Sequence, residues 1–318
     1  MMEQTRDSLE PGTVIDSFVI MKVVASGGFS LIYLAEDEDT QDEVIIKEFL
    51  PKKLACRGEG KRVDVINPKK HTENFHRSRR LFHQEVKVLA SLRHPNIVQV
   101  RGFFLANNTG YLVMDHERGK NLASYIKKRS GGLSTRFMMT VFPPILDALN
   151  LIHSRNLLHL DIKPSNIHLR TGGSPLLLDF GAVHQIQGEG GRNGRIVTTG
   201  FSPVEQYYQS GEVGPWSDVY AIGASMRACL DGKAPPSAIE RHAKDKLKPA
   251  SRAFRKRYPA HMLEAIDWAM EINHENRPQN AGQLLSALNH KQSGNDNDRS
   301  LMVGSSQPHA PAGKRVSS

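Results

Sequence analysis

Alternation of apolar and polar positions dominates the first third of the chain. Residues 18–25 (FVIMKVVA), 31–36 (LIYLAE) and 43–49 (EVIIKEF) are short, rich in β-branched and aromatic side chains, and separated by turn residues. That pattern predicts three strands. The period then changes: over 74–92, Phe75, Leu81, Phe82, Val86 and Leu89 fall on roughly one face of a helix. Two more strands are predicted over 97–105 and 111–114. After the GKNL stretch (119–122) the pattern is helical, over 121–129, 134–154, 217–230, 260–272 and 280–289. The order predicts an α+β chain, a small strand-rich lobe followed by a larger helix-rich one, joined near 115–119. Two features interrupt it. Pro143 and Pro144 fall inside the helical pattern, where proline removes a backbone donor and clashes with the preceding turn, so a kink or break is expected. From Lys291 onward the chain is polar and without apolar period, which predicts a disordered tail over 291–318.

Composition adds little to this picture. The 318 residues are 39% hydrophobic and 24% charged, ordinary for a globular protein. Two cysteines, Cys56 and Cys229, stand far apart and in no metal-like spacing, which argues against a disulfide framework and for a reducing, cytoplasmic compartment. The first residues are polar and lack a secretory core, and no apolar run has the length of a membrane helix. The net charge of +9 is uneven. Residues 241–257 carry eight Lys or Arg and one acid, Asp245, a balance of +7. Such a run is either a solvated face or a dock for an acidic partner. No zinc-finger spacing or aromatic-rich RNA signature accompanies it, so no nucleic acid is expected.

Chemistry concentrates in LLHLDIKPSNIHL (157–169), where Asp161, Lys163 and Asn166 sit inside an apolar run. An acid, a cation and an amide are costly to bury there without partners. A second carboxylate, Asp179, ends the apolar stretch 176–178 just before Phe180 and Gly181. Asp179 and Asn166 together offer hard oxygen ligands suited to magnesium held partly by substrate phosphates. Asp161 is left as an acceptor for a hydroxyl proton and Lys163 as a cation for a transferring phosphoryl group.

On HLDIKPSN (159–166) followed by DFG (179–181), the chain resembles the protein kinases, most closely the bacterial serine/threonine type, over about residues 16–290. The resemblance implies a two-lobed protein-kinase-like fold, with a small antiparallel β-rich N-lobe (about 16–115) carrying one main helix and a mostly helical C-lobe (about 120–290). Residues 1–15 are then an N-terminal extension. It also implies transfer of the ATP γ-phosphate to serine or threonine hydroxyls of protein substrates. In that scheme Asp161 positions or deprotonates the hydroxyl and Lys163 contacts the γ-phosphate. Asn166 and Asp179 hold Mg2+. Lys47 holds the nucleotide's phosphates and pairs with a helix glutamate, for which Glu85 stands nine residues before His94.

The motif ASGGFSLIY (25–33) aligns with the nucleotide lid G-x-G-x-x-G-x-V-Y, assigning Ala25, Gly27, Gly28, Ser30 and Ile32 to nucleotide binding, with Asp115 at the lobe join. Ala25 and Ser30 replace the first and third glycines. TTGFSPVEQYY (198–208) resembles the T-x-x-Y-x-x-P-E segment, with Phe201 and Val204 departing from it. The resemblance pairs Glu205 with Arg277 and sets Asp218 against the catalytic-loop backbone. Leu160 replaces the arginine that ordinarily meets an activation-loop phosphate, so independence from loop phosphorylation is expected. A pseudokinase-type nucleotide-binding scaffold stays as the alternative, on the incomplete lid and Leu160. A small-molecule kinase is disfavoured by Lys163 and the SPVE segment.

Overall fold

The computed structural model describes residues 7–178, 184–185 and 197–290, and of Glu85, His184 and Gln185 only the backbone. The first part is a six-stranded antiparallel sheet built from β1 (Val14–Ile15), β2 (Phe18–Ser26), β3 (Ser30–Asp37), β4 (Glu43–Phe49), β7 (Val100–Ala106) and β8 (Thr109–Asp115). Its strand order is β1-β2-β3-β4-β8-β7. Between β4 and the sheet's return lie a small hairpin, β5 (Ala55–Arg57) with β6 (Val63–Val65), and helix α1 (Pro68–Ser91).

Register sorts the side chains onto two faces. Tyr33, Ile46 and Val113 are ladder partners across β3, β4 and β8, as are Leu31, Glu48 and Tyr111, and all six are buried. The opposite face carries Lys47 and Phe49, and Phe49 packs on Phe75 and Phe82 of α1 with ring centroids 5.7 and 5.4 Å apart.

Three expectations about this lobe need correction. Helix α1 starts at Pro68 rather than at residue 74. Its first turns are solvent-exposed, so they carry no apolar period to read, and Pro68 at the first helical position with Asn67 in the left-handed region (φ 50°) sets the start. Leu81 is 41% exposed and lies off the stripe formed by Phe75, Phe82, Val86 and Leu89. Likewise β7 begins at Val100, not at residue 97. Ile97 bridges Leu177 of the second lobe, and Val98 N–H donates to the Leu177 carbonyl at 3.2 Å.

The second part contains β9 (Gly119–Asn121), α2 (Leu122–Arg129), α3 (Thr135–Ser154), β10 (Leu157–Leu158), β11 (Ile167–Arg170), β12 (Pro175–Leu177), β13 (His184–Gln185), α4 (Val204–Tyr207), α5 (Pro215–Asp231), α6 (Ala238–Ala243), α7 (Ala250–Ala253), α8 (Ala260–Ala269) and α9 (Ala281–Asn289). Asn121, Ser134 and Asn280 cap α2, α3 and α9 by accepting the N–H of Ser124, Phe137 and Gln283. Helix α5 is buried along its length, from Ser217 to Leu230, and forms the post of this lobe. Helix α3 runs unbroken through Pro143 and Pro144. Phe142, Ile145 and Leu146 around the prolines are fully buried, so packing holds the helix where its own ladder is weakened. Helix α8 ends at Ala269, short of residue 272, because the Arg277 guanidinium takes the carbonyls of Glu271 and Ile272 at 2.6 and 2.8 Å. The outcome is the expected α+β, two-lobed architecture. Among the described residues no helix is long and apolar enough to cross a membrane. The tail 291–318 lies outside them.

Candidate active site

The chain leaves β10 into a tight loop, residues 159–166, that the second lobe clamps from below. Asp218, fully buried on α5, accepts the backbone N–H of His159 at 2.9 Å and of Leu160 at 2.8 Å, and a third bond from His153 Nε2 at 2.9 Å. Burial alone would push the Asp218 carboxyl up; the bonds from the His153 side chain and the His159 backbone N–H help to outweigh it and hold it below the ordinary value of 3.8. Gln206 Nε2 donates to the Leu160 carbonyl at 2.6 Å. Both peptide groups of Leu160 are therefore fixed, which sustains its left-handed backbone (φ 55°), a costly conformation for a branched side chain. Its side chain is 3% exposed and packs with Leu158 and Val213. His159 Nδ1 accepts the Asp161 N–H at 3.3 Å, so Nε2 carries the proton it gives to the Leu178 carbonyl at 3.2 Å.

This clamped loop brings the predicted polar residues together. Lys163 Nζ lies 2.8 Å from both oxygens of Asp161. Thr198 Oγ1 donates to Asp161 Oδ1 at 2.8 Å and lies 3.2 Å from Lys163 Nζ. Asn166, at the end of a 3-10 turn, donates through Nδ2 to the Asp161 carbonyl at 2.8 Å and to Oδ2 at 3.0 Å. The amide nitrogen of Asn166 is thus committed, and its Oδ1, which accepts from Ser165 Oγ at 3.4 Å, keeps a lone pair for a hard cation. An amide oxygen of this kind fits a magnesium ion shared with phosphates. Asp179 lies outside the described residues. Among those described there is no cluster of three or more His, Cys, Asp or Glu able to hold a metal by itself.

The first lobe supplies the other wall. Ladder pairing sets Ala25, Ile32, Lys47 and Leu112 side by side across β2, β3, β4 and β8. Lys47 is 6% exposed, with Nζ 6.0 Å from the Phe82 ring centroid. Glu85 lies on α1, but its side chain is outside the described set. Gly27 and Gly28 form the exposed turn between β2 and β3, with Ser30 opening β3. A Cβ at Gly28 meets nothing within 4 Å, and one at Gly27 only the Ser30 carbonyl at 3.6 Å. Packing within the chain therefore does not require glycine at either place. The Asp115 carboxylate accepts from Arg101 Nε at 2.5 Å, and its backbone N–H donates to the Gln99 carbonyl at 3.1 Å.

Two buried ionic clusters brace the site. Arg277 meets Glu205 in a bidentate pair, 2.8 and 3.1 Å, with side chains 0% and 4% exposed, as the sequence pairing anticipated. The other was not anticipated. Glu48, fully buried beside Lys47, accepts from Arg57 at 2.8 and 2.5 Å and from the hydroxyls of Tyr33 and Tyr111, each at 2.8 Å. Arg57 also takes the Asp7 carbonyl, while the Asp7 carboxylate accepts the Arg57 N–H, both at 3.0 Å. Burial and the adjoining Glu48 charge push both phenols up. Desolvation alone would lower the Arg57 guanidinium, but the Glu48 bond and charge raise it. The signal lay in the strand itself: Lys47 and Glu48 are adjacent, so alternation puts them on opposite faces and each needs its own buried partner.

A sheet lobe carrying a buried lysine, set over a helical lobe with a clamped Asp-Lys-Asn loop, defines the phosphotransferases of the protein kinase class. The chain belongs to that family: the protein kinase domain matches residues 18–293. It is similar to serine/threonine-protein kinase D of Synechocystis sp., 32% identical over 234 residues covering 70% of this chain and 42% of the relative. It is also similar to serine/threonine-protein kinase PknA of Nostoc sp., 30% identical over 226 residues covering 68% and 37%. The matches thus span less than half the length of these curated relatives. Among solved structures, the apo form of PpkA-294 aligns with a TM-score of 0.78 at 28% identity, covering 89% of this chain and 99% of that one.

Proposed function

We propose that this chain is an ATP-dependent serine/threonine protein kinase working with Mg2+, its catalytic unit spanning residues 16–290 with the segment from Asp7 onward packed onto its first lobe. One observation carries the reading: Asp161 is held in a single geometry by Lys163, Thr198 and Asn166 together. Bound Mg2+·ATP supplies the electrophilic γ-phosphorus, with the metal neutralising charge on the phosphate oxygens. Asp161 orients the acceptor hydroxyl and takes its proton as the new P–O bond forms and the bond to the ADP oxygen breaks. Lys163 faces the transferring group. Asn166 holds the metal together with Asp179, and Lys47 holds the phosphates, paired with Glu85. Ala25, Gly27, Gly28, Ser30 and Ile32 cover the nucleotide, and Asp115 meets it at the lobe join. Lys47, Asp161 and Asn166 all being in place weighs against a scaffold that only binds nucleotide.

The test is transfer of labelled phosphate from ATP to the chain itself and to a generic protein. Asp161→Asn is expected to abolish it while nucleotide binding persists; transfer at the wild-type rate would overturn the assignment. Independence from loop phosphorylation is supported by Leu160, which packs in an apolar cluster and offers no cation. Phosphatase-treated enzyme is expected to keep most of its activity.

The 241–257 run supports docking of an acidic protein partner, in modified form. Arg241 is buried and spent on Asp245, Tyr220 and the Met270 carbonyl. Arg255, Lys256 and Arg257 remain exposed. Replacing those three by Ser is expected to weaken substrate capture at low salt and to matter little at high salt. A cytoplasmic location is supported by two free cysteines, Cys56 and the buried Cys229.

A further inference from the structure

The turn between β2 and β3 departs from its family pattern at Ala25 and Ser30, and its own bonding is thin: Gly27 N–H to the Ser30 carbonyl, 2.9 Å. Its main attachments lie elsewhere. Leu50 N–H donates to the Phe29 carbonyl and Lys52 N–H to the Gly28 carbonyl, both at 2.9 Å. Lys52 Nζ donates to Ser26 Oγ at 2.8 Å. The two backbone bonds hold the β3 side of the turn, and the lysine side chain reaches across to the β2 side. Segment 50–52 is a firm support for such a clamp. Leu50 and Pro51 are buried, and the Pro51 carbonyl accepts the N–H of Leu54 at 2.8 Å and Ala55 at 2.9 Å. Two residues beyond Ala55 stands Arg57, locked on Glu48.

We infer that Lys52 is a positioning residue of the nucleotide lid, its ammonium tethering Ser26 so that the turn stays closed over a bound nucleoside triphosphate or diphosphate. The inference rests on the kinase reading above. A charged donor on a neutral hydroxyl adds a bond where the loop lacks two of its glycines, and both flanks of the tip are then fixed to segment 50–52, which directly follows the strand that carries Lys47. In many enzymes lid opening, rather than chemistry, sets the rate of product release. Loss of the tether is therefore expected to speed release, with little effect on the chemical step.

The experiment uses the full chain and a fluorescent N-methylanthraniloyl-ADP with Mg2+, releasing it by rapid mixing with excess ATP. Lys52→Met and Ser26→Ala are each expected to raise the release rate roughly 3- to 10-fold, the loss of one exposed hydrogen bond. The double variant is expected to be no faster than either single one, because both remove the same contact. Lys52→Arg, which keeps a donor, is expected to stay within about twofold of wild type. Single-turnover phosphoryl transfer should be unchanged throughout. A silent Ser26→Ala, or effects of the two substitutions that multiply, would overturn the tether and leave Lys52 acting as an independent cation. Failure of the wild-type chain to bind the probe strikes instead at the kinase reading. Lys52 is exposed, so thermal unfolding of each variant should match wild type and separates lid effects from misfolding.

Discussion

Asp218 shows how much a single carboxylate can hold. It satisfies two consecutive backbone donors and a histidine, and with Gln206 it fixes the left-handed turn at Leu160 from both sides. Asp218→Asn keeps the volume but gives up the charge and an acceptor, and is expected to cost about 1–3 kcal/mol, read by chemical denaturation. The pH dependence follows from its depressed carboxyl. A group that ionises more readily in the fold than in the open chain stabilises the fold above its ordinary value of 3.8, and that contribution fades as pH falls through the lower folded value. The acid limb of the stability curve below about pH 4 should therefore be shallower in Asp218→Asn than in wild type. Equal slopes would assign the acid sensitivity to other groups.

At the scale of elements, the buried pair between Glu205 on α4 and Arg277 joins two segments 72 residues apart. Removing one partner strands the other charge, so Arg277→Met is expected to cost about 3–5 kcal/mol, while Arg277→Met with Glu205→Leu should cost less than either alone. Equilibrium unfolding of the three variants checks this. The pair was legible because both residues sit in recognisable motifs. Strands β2, β3 and β4 were legible because alternation follows from the pleat whatever lies around them. What escaped depended on distant partners. Exposed first turns hid the start of α1. Pairing of Ile97 and Val98 with Leu177 took them out of β7, and the reach of Arg277 ended α8 early. The β5–β6 hairpin has three-residue strands of mixed polarity, and its purpose, to present Arg57 to Glu48, cannot be read without the fold. The paired prolines of α3 announced a break that surrounding burial overrides. Asp179 and the Glu85 side chain lie outside the described residues.

Over the molecule as a whole, the segment ahead of β1 is part of the first lobe. Ser8 and Leu9 are 7% and 4% exposed, Leu9 N–H donates to the Tyr33 hydroxyl at 3.2 Å, and Asp7 holds Arg57. Deleting residues 1–9 empties the seat of Leu9 and is expected to destabilise the lobe by roughly 2–5 kcal/mol, the range of large-to-small core changes. The readout is the melting temperature with and without nucleotide; an unchanged melting temperature would show the segment to be dispensable. At the join, every side chain of 115–118 has a polar partner: Asp115 pairs with Arg101, Arg118 with Glu43 and Glu117 with Arg170, and His116 Nδ1 lies 3.0 Å from the Glu43 carboxylate. Three of these bonds reach back to the sheet and one reaches forward to β11.

Lys47 and Glu48 turn opposite sides of one strand into opposite electrical requirements. Sliding β4 by a single residue would press an ammonium against Tyr33 and Tyr111 and leave the Arg57 guanidinium facing an empty berth. That alignment is therefore strongly specified, and Lys47 is indexed by the pairing of its own strand.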